Sequence, residues 1–217
     1  MTDIVFEEGA LPELEKIILS CTDIKSLRRV DKLPKLKEVE LKHNKLLLTL
    51  FEHANQITKV TLYDTLLKQS DLHILGSKPN MSCLVLLDKS YDESELIFNK
   101  DQFPILKILI VKCSNITKAS FTDRSAPNLK KIIWSLNKIE SLSGINNLKK
   151  LKEIELSEDL VPHQVITDIK SHENRSVLIN KKPDQQDQAK ESLGDDDEYE
   201  DDARFPTISW IMKKGQC

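Results

Sequence analysis

The chain has little of what usually shapes loops and pockets. Glycine accounts for only 5 of its 217 residues, and aromatic residues for 5%. The sequence lacks the phosphate-binding patterns GxxxxGK(S/T) and GxGxxG, the nucleophile pattern GxSxG and the metal-binding pattern HExxH. The histidines are scattered, at His43, His53, His73, His163 and His172. We therefore expect no catalytic site, no cofactor and no metal site, and we do not expect an enzyme.

Paired cysteines and long apolar runs are missing as well. The four cysteines, Cys21, Cys83, Cys113 and Cys217, are far apart and form no CxxC pair. Their spacing predicts isolated thiols rather than a zinc site or a disulfide framework. The opening MTDIVFEEGA lacks the charged-then-apolar order of a secretion signal, and no apolar run approaches the length of a membrane span. These features predict a cytoplasmic protein with no membrane span.

The excess of basic residues in the body of the chain is too small to indicate a nucleic-acid partner. The formal net charge is -3. From Asp184 onward ten acidic residues face four basic ones, so this part carries -6 and residues 1–183 carry +3. A surface that tracks phosphates needs several clustered lysines or arginines. We therefore expect no binding of nucleic acid.

The sequence does contain a leucine phrase, LPKLKEVELKHNKL, over residues 33–46. Its apolar positions are Leu33, Leu36, Val39, Leu41 and Leu46. Val39 and Leu41 alternate, so on a strand both point to one face. The amide of Asn44 can hydrogen-bond the backbone where the strand turns. One copy cannot bury its own leucines, so the phrase is meaningful only if it recurs.

The phrase occurs seven times. Its copies begin at residues 11, 33, 54, 78, 103, 126 and 148, at intervals of 21 to 25 residues, which is the period of a leucine-rich repeat. Lys78 stands where a leucine belongs, and only Asn44 and Asn137 keep the asparagine position. We predict an α/β fold: a lead-in over residues 1–10 and a leucine-rich-repeat solenoid over 11–180, with short parallel strands on its concave face.

The segments between the phrases vary in length and pattern, which predicts an irregular or short-helical convex side. SDLHILG (70–76) and SLSGINN (141–147) each predict a turn or a single helical turn. After the last phrase, Pro162 suits the start of a helix, and Val165 and Ile169 form an i, i+4 stripe.

Residues 162–180 are therefore predicted to form a C-terminal helical cap, which ends in the short apolar run SVLI (176–179). Residues 181–217 are predicted to be a disordered acidic tail, because residues 181–204 have low hydrophobicity and dense charge and cannot bury enough surface to offset chain entropy. The apolar end of this tail, FPTISWIM (205–212), is either unstructured or a short docking peptide.

Alternation along the strands also predicts which residues face the concave side. The middle outward positions are Ile18, Glu40, Thr61, Val85, Ile110, Ile133 and Glu155. The centre of this array is apolar and its ends are charged, as at protein-binding sites. The predicted protein-binding patch consists of Tyr63, Cys83, Val85, Leu87, Ile108, Ile110, Lys112 and Ile133. The alternative is that β-branched residues simply favour strand backbone on either face.

Four segments carry a family resemblance: IVFEEGALPELEKI (4–17), FPILKILIVKCSNIT (103–117), APNLKKIIWS (126–135) and LSGINNLKKLKEIELSEDLVPHQVITDIKSHENRSVL (142–178). They resemble the closing repeats and cap of plant intracellular immune receptors, the grass-type coiled-coil NB-ARC leucine-rich-repeat disease-resistance proteins. From the first of these segments to the last, the resemblance extends over about residues 4–180.

The resemblance implies a role in plant defence. In that family the repeats recognise pathogen effectors and restrain the nucleotide-binding domain. It therefore implies a protein partner: an effector, a host protein or the receptor's own nucleotide-binding domain. Nothing in this sequence matches the coiled-coil or nucleotide-binding domains, so the ATP/ADP switch and the signalling arm are not implied.

Two other classes of protein stay open. A short repeat array joined to an acidic tail is similar to the acidic leucine-rich nuclear phosphoproteins, which bind histones or inhibit a phosphatase. The other class is a ubiquitin-ligase adaptor, although the sequence shows no F-box. Salt-sensitive capture of histones by the tail would favour the first alternative, and co-purification with a ligase scaffold the second.

Overall fold

The structure is a computed structural model, and it describes residues 2–21, 24–44, 53–135, 138–157, 162–170, 178–182 and 207–211. Over these residues the chain forms a parallel β-solenoid of about six turns with few helices. All strand pairs in this part of the chain are parallel, so each turn lays its strands beside those of the turn before. The solenoid predicted from the recurring phrase is therefore confirmed.

The elements follow the chain in a simple order. The strands are β1 (Thr2–Val5), β2 (Lys16–Ser20), β3 (Ile24–Arg28), β4 (Glu38–Lys42), β5 (Lys59–Tyr63), β6 (Cys83–Leu86), β7 (Glu95–Phe98), β8 (Ile108–Val111), β9 (Lys118–Phe121), β10 (Lys131–Trp134), β11 (Ser141–Ser143), β12 (Glu153–Ser157), β13 (Leu178–Lys182) and β14 (Thr207–Ile211). The helices are α1 (Gln69–Gly76) and α2 (His163–Lys170), with 3-10 turns at Val30–Lys32 and Ile145–Asn147.

Together with β13 and β14, the strands of the phrase form one nine-stranded sheet in the order β13, β12, β10, β8, β6, β5, β4, β2, β14. We call it the concave sheet, and the opposite side of the solenoid the convex side, after the sides predicted above. Two rows of side chains on its strands point into the core, and each of these residues is at most 2% exposed. The rows are Ile17, Val39, Val60, Leu84, Leu109, Ile132 and Ile154, and Leu19, Leu41, Leu62, Leu86, Val111, Trp134 and Leu156. They are the alternate positions of the phrase, so the predicted alternation is confirmed.

Polar residues at the strand ends tie one turn to another. The side-chain amide of Asn44 donates to the carbonyl of Leu19 at 3.1 Å and to that of Lys42 at 3.0 Å. This is the backbone bonding predicted for the asparagine position. Thr65, which replaces asparagine one repeat later, donates its hydroxyl to the carbonyl of Ser90 at 2.9 Å. Asn137 lies outside the described residues.

The convex side is more regular than the variable segments predicted. Strands β11, β9 and β7 form a second parallel sheet there, and β1 from the predicted lead-in pairs with β3. Successive turns stack in register, so their backbones can also pair on this side and satisfy their N–H and C=O groups. Phe98 and Phe121, one turn apart, stack with ring centroids 4.7 Å apart. SLSGINN forms the single turn of 3-10 helix that was predicted, at Ile145–Asn147, preceded by strand β11, which was not predicted.

Helix α1 is longer than the single turn that SDLHILG predicted. Leu72 and Leu75 anchor it in the core, and Asp71 accepts a hydrogen bond from the N–H of Lys68 at 2.8 Å. The side-chain amide of Gln69 forms the two hydrogen bonds with the edge strand β7 that the backbone of a neighbouring strand would form. It donates to the carbonyl of Ile97 at 2.7 Å and accepts from the N–H of Ile97 at 3.1 Å.

The C-terminal part contributes helix α2 and strands β13 and β14. Val165 and Ile169, the predicted stripe, are buried. Strand β13 pairs with β12. Of the predicted disordered tail, residues 181–182 belong to β13 and residues 207–211 form β14, while the remainder lies outside the described residues. Both α-helices have eight residues, and within the described ranges no helix is long and apolar enough to cross a membrane.

The cysteines are not all isolated thiols. Cys83 and Cys113 are free, but Cys21, directly after β2, is disulfide-bonded. The prediction of isolated thiols is therefore wrong for Cys21. Spacing along the sequence could not show this bond, because a disulfide requires proximity in the fold rather than in the chain.

Candidate protein-binding face

The outward side chains of the concave sheet lie in rows across the strands. Strand register places Cys83 opposite Ile108, Val85 opposite Ile110, and Ile110 opposite Ile133. Neighbouring strands are about 4.8 Å apart, so side chains in a row touch one another. These five residues of the predicted patch therefore form one continuous apolar surface over β6, β8 and β10.

Exposure varies within this surface. Ile108 is 37% exposed, which makes it one of the most exposed large apolar side chains in the described part of the chain. Val85, in the middle row, is only 8% exposed, whereas Cys83, Ile110 and Ile133 are half-buried. The accessible part of the surface is therefore centred on β8.

The remaining predicted residues extend the surface along the strand ends. Leu87 follows β6 and donates its N–H to the carbonyl of Leu62 at 2.9 Å, which keeps it beside Tyr63. Lys112 follows β8 in the same way, donating to the carbonyl of Leu86 at 2.7 Å. Lys112 is exposed and directly follows β8, so this residue lies at the margin of the apolar surface.

The ring of Tyr63 is held by its neighbours. His43 packs edge-on against it, with ring centroids 5.1 Å apart and planes at 84°. The Nδ1 atom of His43 lies 2.7 Å from a carboxylate oxygen of Asp64, which fixes the imidazole in turn. An aromatic ring that is already ordered loses little side-chain entropy when a partner binds.

Cys83 contributes as an apolar group. Burial raises the pKa of its thiol, with the nearby carboxylate of Glu38 adding to the shift and Lys59 opposing it. The thiol therefore stays protonated near neutral pH, and a protonated cysteine behaves as a small hydrophobic side chain.

The side of the apolar surface nearer the N-terminus is bordered by paired charges on β2, β4 and β5. Glu40 contacts Lys16 at 3.2 Å and Lys42 at 2.9 Å, and Lys59 contacts Glu38 at 3.1 Å. Burial alone would raise the pKa of Glu40, but hydrogen bonds and charge from Lys42 and Lys16 outweigh it and lower that pKa. Glu40 is therefore a stable anion within its own network.

The opposite side is bordered by a smaller network on β10 and β12. Lys131 contacts Glu155 at 3.1 Å and Glu153 at 3.2 Å. These hydrogen bonds, that to Glu155 first, raise the pKa of Lys131. In both borders, many of the charged side chains are paired with one another. The apolar centre is therefore the distinctive feature of this face.

Sequence reasoning located the charged borders but not their pairing. One signal was present in the outward row that begins at Lys16, two residues before the middle row on each strand. The sign of the charge in that row alternates through Lys16, Glu38 and Lys59, and again from Lys131 to Glu153. Residues at the same place in successive phrases become lateral neighbours in a parallel solenoid, so alternating signs there indicate ion pairs.

The described residues contain no competing metal site. No group of three or more His, Cys, Asp or Glu side chains among them is placed to hold a metal ion. Three of the histidines in this part contact neighbouring side chains: His43 contacts Tyr63 and Asp64, His73 on α1 hydrogen-bonds the amide of Gln102, and His163 lies near the hydroxyl of Thr167. His172 lies outside the described residues.

Comparison with known proteins adds no assignment to this face. No protein-family model matches the chain, and no curated protein matches it. A functional conclusion therefore depends on the geometry of the concave side and on the resemblance seen in the sequence.

Proposed function

We propose that the protein is a non-catalytic binding module whose concave face holds a partner protein. The observation that carries this proposal is the continuous apolar surface formed by Cys83, Val85, Ile108, Ile110 and Ile133 between two ion-paired borders. Apolar area with a charged rim is the usual composition of a protein interface. The partner's contact surface is accordingly apolar at its centre.

We further propose that the solenoid is a leucine-rich-repeat array and that α2 with β13 is its C-terminal cap. In support, the phrase positions match the buried rows, and both Val165 and Ile169 of α2 are buried. With the family resemblance, this makes the chain similar to the sensing or autoinhibitory end of a cytoplasmic plant immune receptor. Its partner would then be a pathogen effector, a host protein or a nucleotide-binding domain.

The concave surface can be tested by charge substitution. A variant with both Ile110→Asp and Ile133→Asp should lose the partner, because two carboxylates at the centre of an apolar contact would be desolvated. Neither side chain is in the buried rows, so the fold should survive. Ile18→Asp is the matched control: it changes an outward isoleucine in the same middle row, on β2 and outside the patch.

The measurement is a photo-crosslink from position 112 in extracts, with crosslinked proteins identified by mass spectrometry. Wild type and Ile18→Asp should crosslink the same protein, and the double variant should not. The proposal would be wrong if the double variant, shown to be folded by circular dichroism, captured that protein as well as wild type does. Reading the transcript upstream of Met1 for coiled-coil and P-loop sequences tests the receptor resemblance separately.

A further inference from the structure

A cavity lined by positive charge lies at the side of the concave sheet where strands β8, β10 and β12 begin. Its volume is about 440 Å³. Asn128 and Leu151 line it together with five lysines, which are Lys107, Lys130, Lys149, Lys150 and Lys152. No carboxylate is among the described residues that line this space, which we call the lysine cavity. A cleft whose walls carry charge of one sign concentrates ions of the opposite sign.

Strand register brings three of these lysines together from distant points in the sequence. Lys107, Lys130 and Lys152 come directly before β8, β10 and β12. The N–H of Lys130 donates to the carbonyl of Lys107 at 2.9 Å, and the N–H of Lys152 donates to the carbonyl of Lys130 at 2.9 Å. Their backbones are therefore one strand spacing apart, about 4.8 Å. The small net charge of the whole chain does not reveal this local concentration.

A fourth lysine of the cavity is held by a polar neighbour. The Nζ atom of Lys150 donates to the side-chain oxygen of Asn128 at 2.6 Å. The amide nitrogen of Asn128 donates in turn to the carbonyl of Pro104 at 2.6 Å, which fixes the amide. An amide is neutral, so this contact orients the ammonium of Lys150 without compensating its charge.

The lysines of the row differ from lysines on the strands, whose charge is compensated. Lys131, for instance, contacts two glutamates at 3.1 and 3.2 Å. By contrast, Lys107, Lys130 and Lys152 form no ion pair with any carboxylate in the described part of the chain. Like charges held this close repel one another, so an anion that enters the cavity relieves the repulsion.

We propose that the lysine cavity binds a compact anion with two or three phosphate groups. A phosphate group carries about 1.5 to 2 negative charges near neutral pH, so two or three of them balance five ammonium groups. Each ammonium donates hydrogen bonds to phosphate oxygens and acts as a point charge. This site is separate from the apolar surface that is proposed to hold a protein.

The size and lining of the cavity favour a compact anion over nucleic acid. On the two turns before Lys107, the same row continues with the neutral residues Ser82 and Thr58. The charged part of the row therefore spans only two strand spacings, about 10 Å. A protein that follows a nucleic-acid backbone commonly contacts about 6 to 10 phosphates. The described residues that line the cavity also include no aromatic ring on which a base could stack.

Isothermal titration calorimetry of the full chain with inorganic triphosphate tests the site. In about 0.15 M salt, wild type should bind one triphosphate per chain with a dissociation constant in the micromolar range. A triple variant with Lys107→Gln, Lys130→Gln and Lys152→Gln should bind at least about thirtyfold more weakly, because charge-assisted hydrogen bonds are lost. All three side chains are exposed, so the variant should keep the circular dichroism spectrum of wild type.

The matched control replaces three exposed lysines outside the cavity: Lys37→Gln, Lys100→Gln and Lys138→Gln. Lys37 occupies the same position of the phrase as the three lysines of the row. The control has the same net charge as the triple variant and should bind triphosphate as wild type does. Equal losses in the two variants would attribute binding to overall charge and overturn the proposal. Wild-type affinity in the folded triple variant, or no saturable binding to wild type, would also overturn it.

Three further ligands test the chemical class. Adenosine triphosphate should bind no more tightly than triphosphate, because the lining offers no stacking for the base. A DNA duplex of about 20 base pairs should bind more weakly than triphosphate, and tighter binding that required the same lysines would contradict a compact ligand. Vesicles of phosphatidylcholine with phosphatidylinositol bisphosphate distinguish two sources of the phosphates. Sedimentation with these vesicles that triphosphate abolishes would identify a lipid headgroup, whereas triphosphate binding without sedimentation would identify a soluble compound.

Discussion

The inward and outward rows of the concave sheet use the same strands and the same backbone, yet their compositions differ. Every inward position from β2 to β12 is an aliphatic residue or Trp134, and all are essentially inaccessible. The outward positions run from ion-paired Lys and Glu to Ile and Cys within a few strands. Stability is therefore determined on one side of each strand, and the choice of partner on the other.

The largest expected difference in stability between the inward and outward rows is that between substitutions at two adjacent residues on β8. Leu109→Ala should lower the free energy of unfolding by about 3 kcal/mol, because it removes a buried side chain and leaves a cavity. Ile110→Ala, one residue later and facing outward, should lower it by less than about 1 kcal/mol. Urea unfolding followed by circular dichroism measures both. Equal losses for the two variants would contradict the division between the rows.

A polar inward residue provides a second comparison. Asn44→Ala should cost about 2 kcal/mol, because it removes both hydrogen bonds that this buried amide donates, to the carbonyls of Leu19 and Lys42. Asn115→Ala is the control, because this exposed side chain makes two long contacts: it donates to the carbonyl of Tyr91 at 3.4 Å and accepts from the hydroxyl of Ser114 at 3.4 Å. Its unfolding midpoint in urea should stay that of wild type. Equal losses of stability in the two variants would show that the contribution of Asn44 to the free energy of unfolding does not depend on its burial.

The smallest effect is expected for outward charges, and it depends on pH. The pKa of Glu40 is lowered in the folded protein, so its ion pairs stabilise the fold above the ordinary glutamate pKa of 4.5. That contribution is lost as the pH falls through the lowered pKa. Glu40→Gln should therefore cost about 0.5 kcal/mol at pH 7, a small value because solvent still screens these partly exposed pairs.

At pH 3 the difference between Glu40→Gln and wild type should shrink, as measured by urea unfolding at both pH values. Glu13→Gln is the control, since Glu13 pairs with Lys35 at 2.5 Å at a site where both side chains are well exposed. It should not move the midpoint at either pH. A Glu40→Gln difference that grew in acid would contradict the assigned pKa direction.

The concave sheet could be predicted from the sequence because its information is local. In each phrase two apolar residues alternate, as Ile132 and Trp134 do on β10, and the same offset recurs in the next copy. Recurrence then fixes which residues become lateral neighbours. The eight predicted patch residues follow from that rule, and the structure places them along β5, β6, β8 and β10 or directly after β6 and β8.

The convex sheet and the pairing of β14 could not be predicted, because they depend on contacts that no local sequence pattern specifies. On the convex side β7 and β9 also bury two alternate residues each, Leu96 and Phe98 and then Ala119 and Phe121. These pairs lie at different distances from the start of their phrases, so no recurring offset marks them in the sequence. The pairing of β14 with β2 joins the two ends of the chain. TISWI has the alternation of a strand, but nothing in it specifies which edge it joins.

Helix α1 shows that the sheet tolerates a bulkier element behind it. The helix lies between β5 and β6 along the chain, and a helix is about 10 Å wide, whereas paired strands are about 4.8 Å apart. Strands β5 and β6 nevertheless stay paired in register, from Lys59 opposite Cys83 to Leu62 opposite Leu86. The segment behind the sheet can therefore differ from turn to turn without moving the strand positions of Cys83 and Val85.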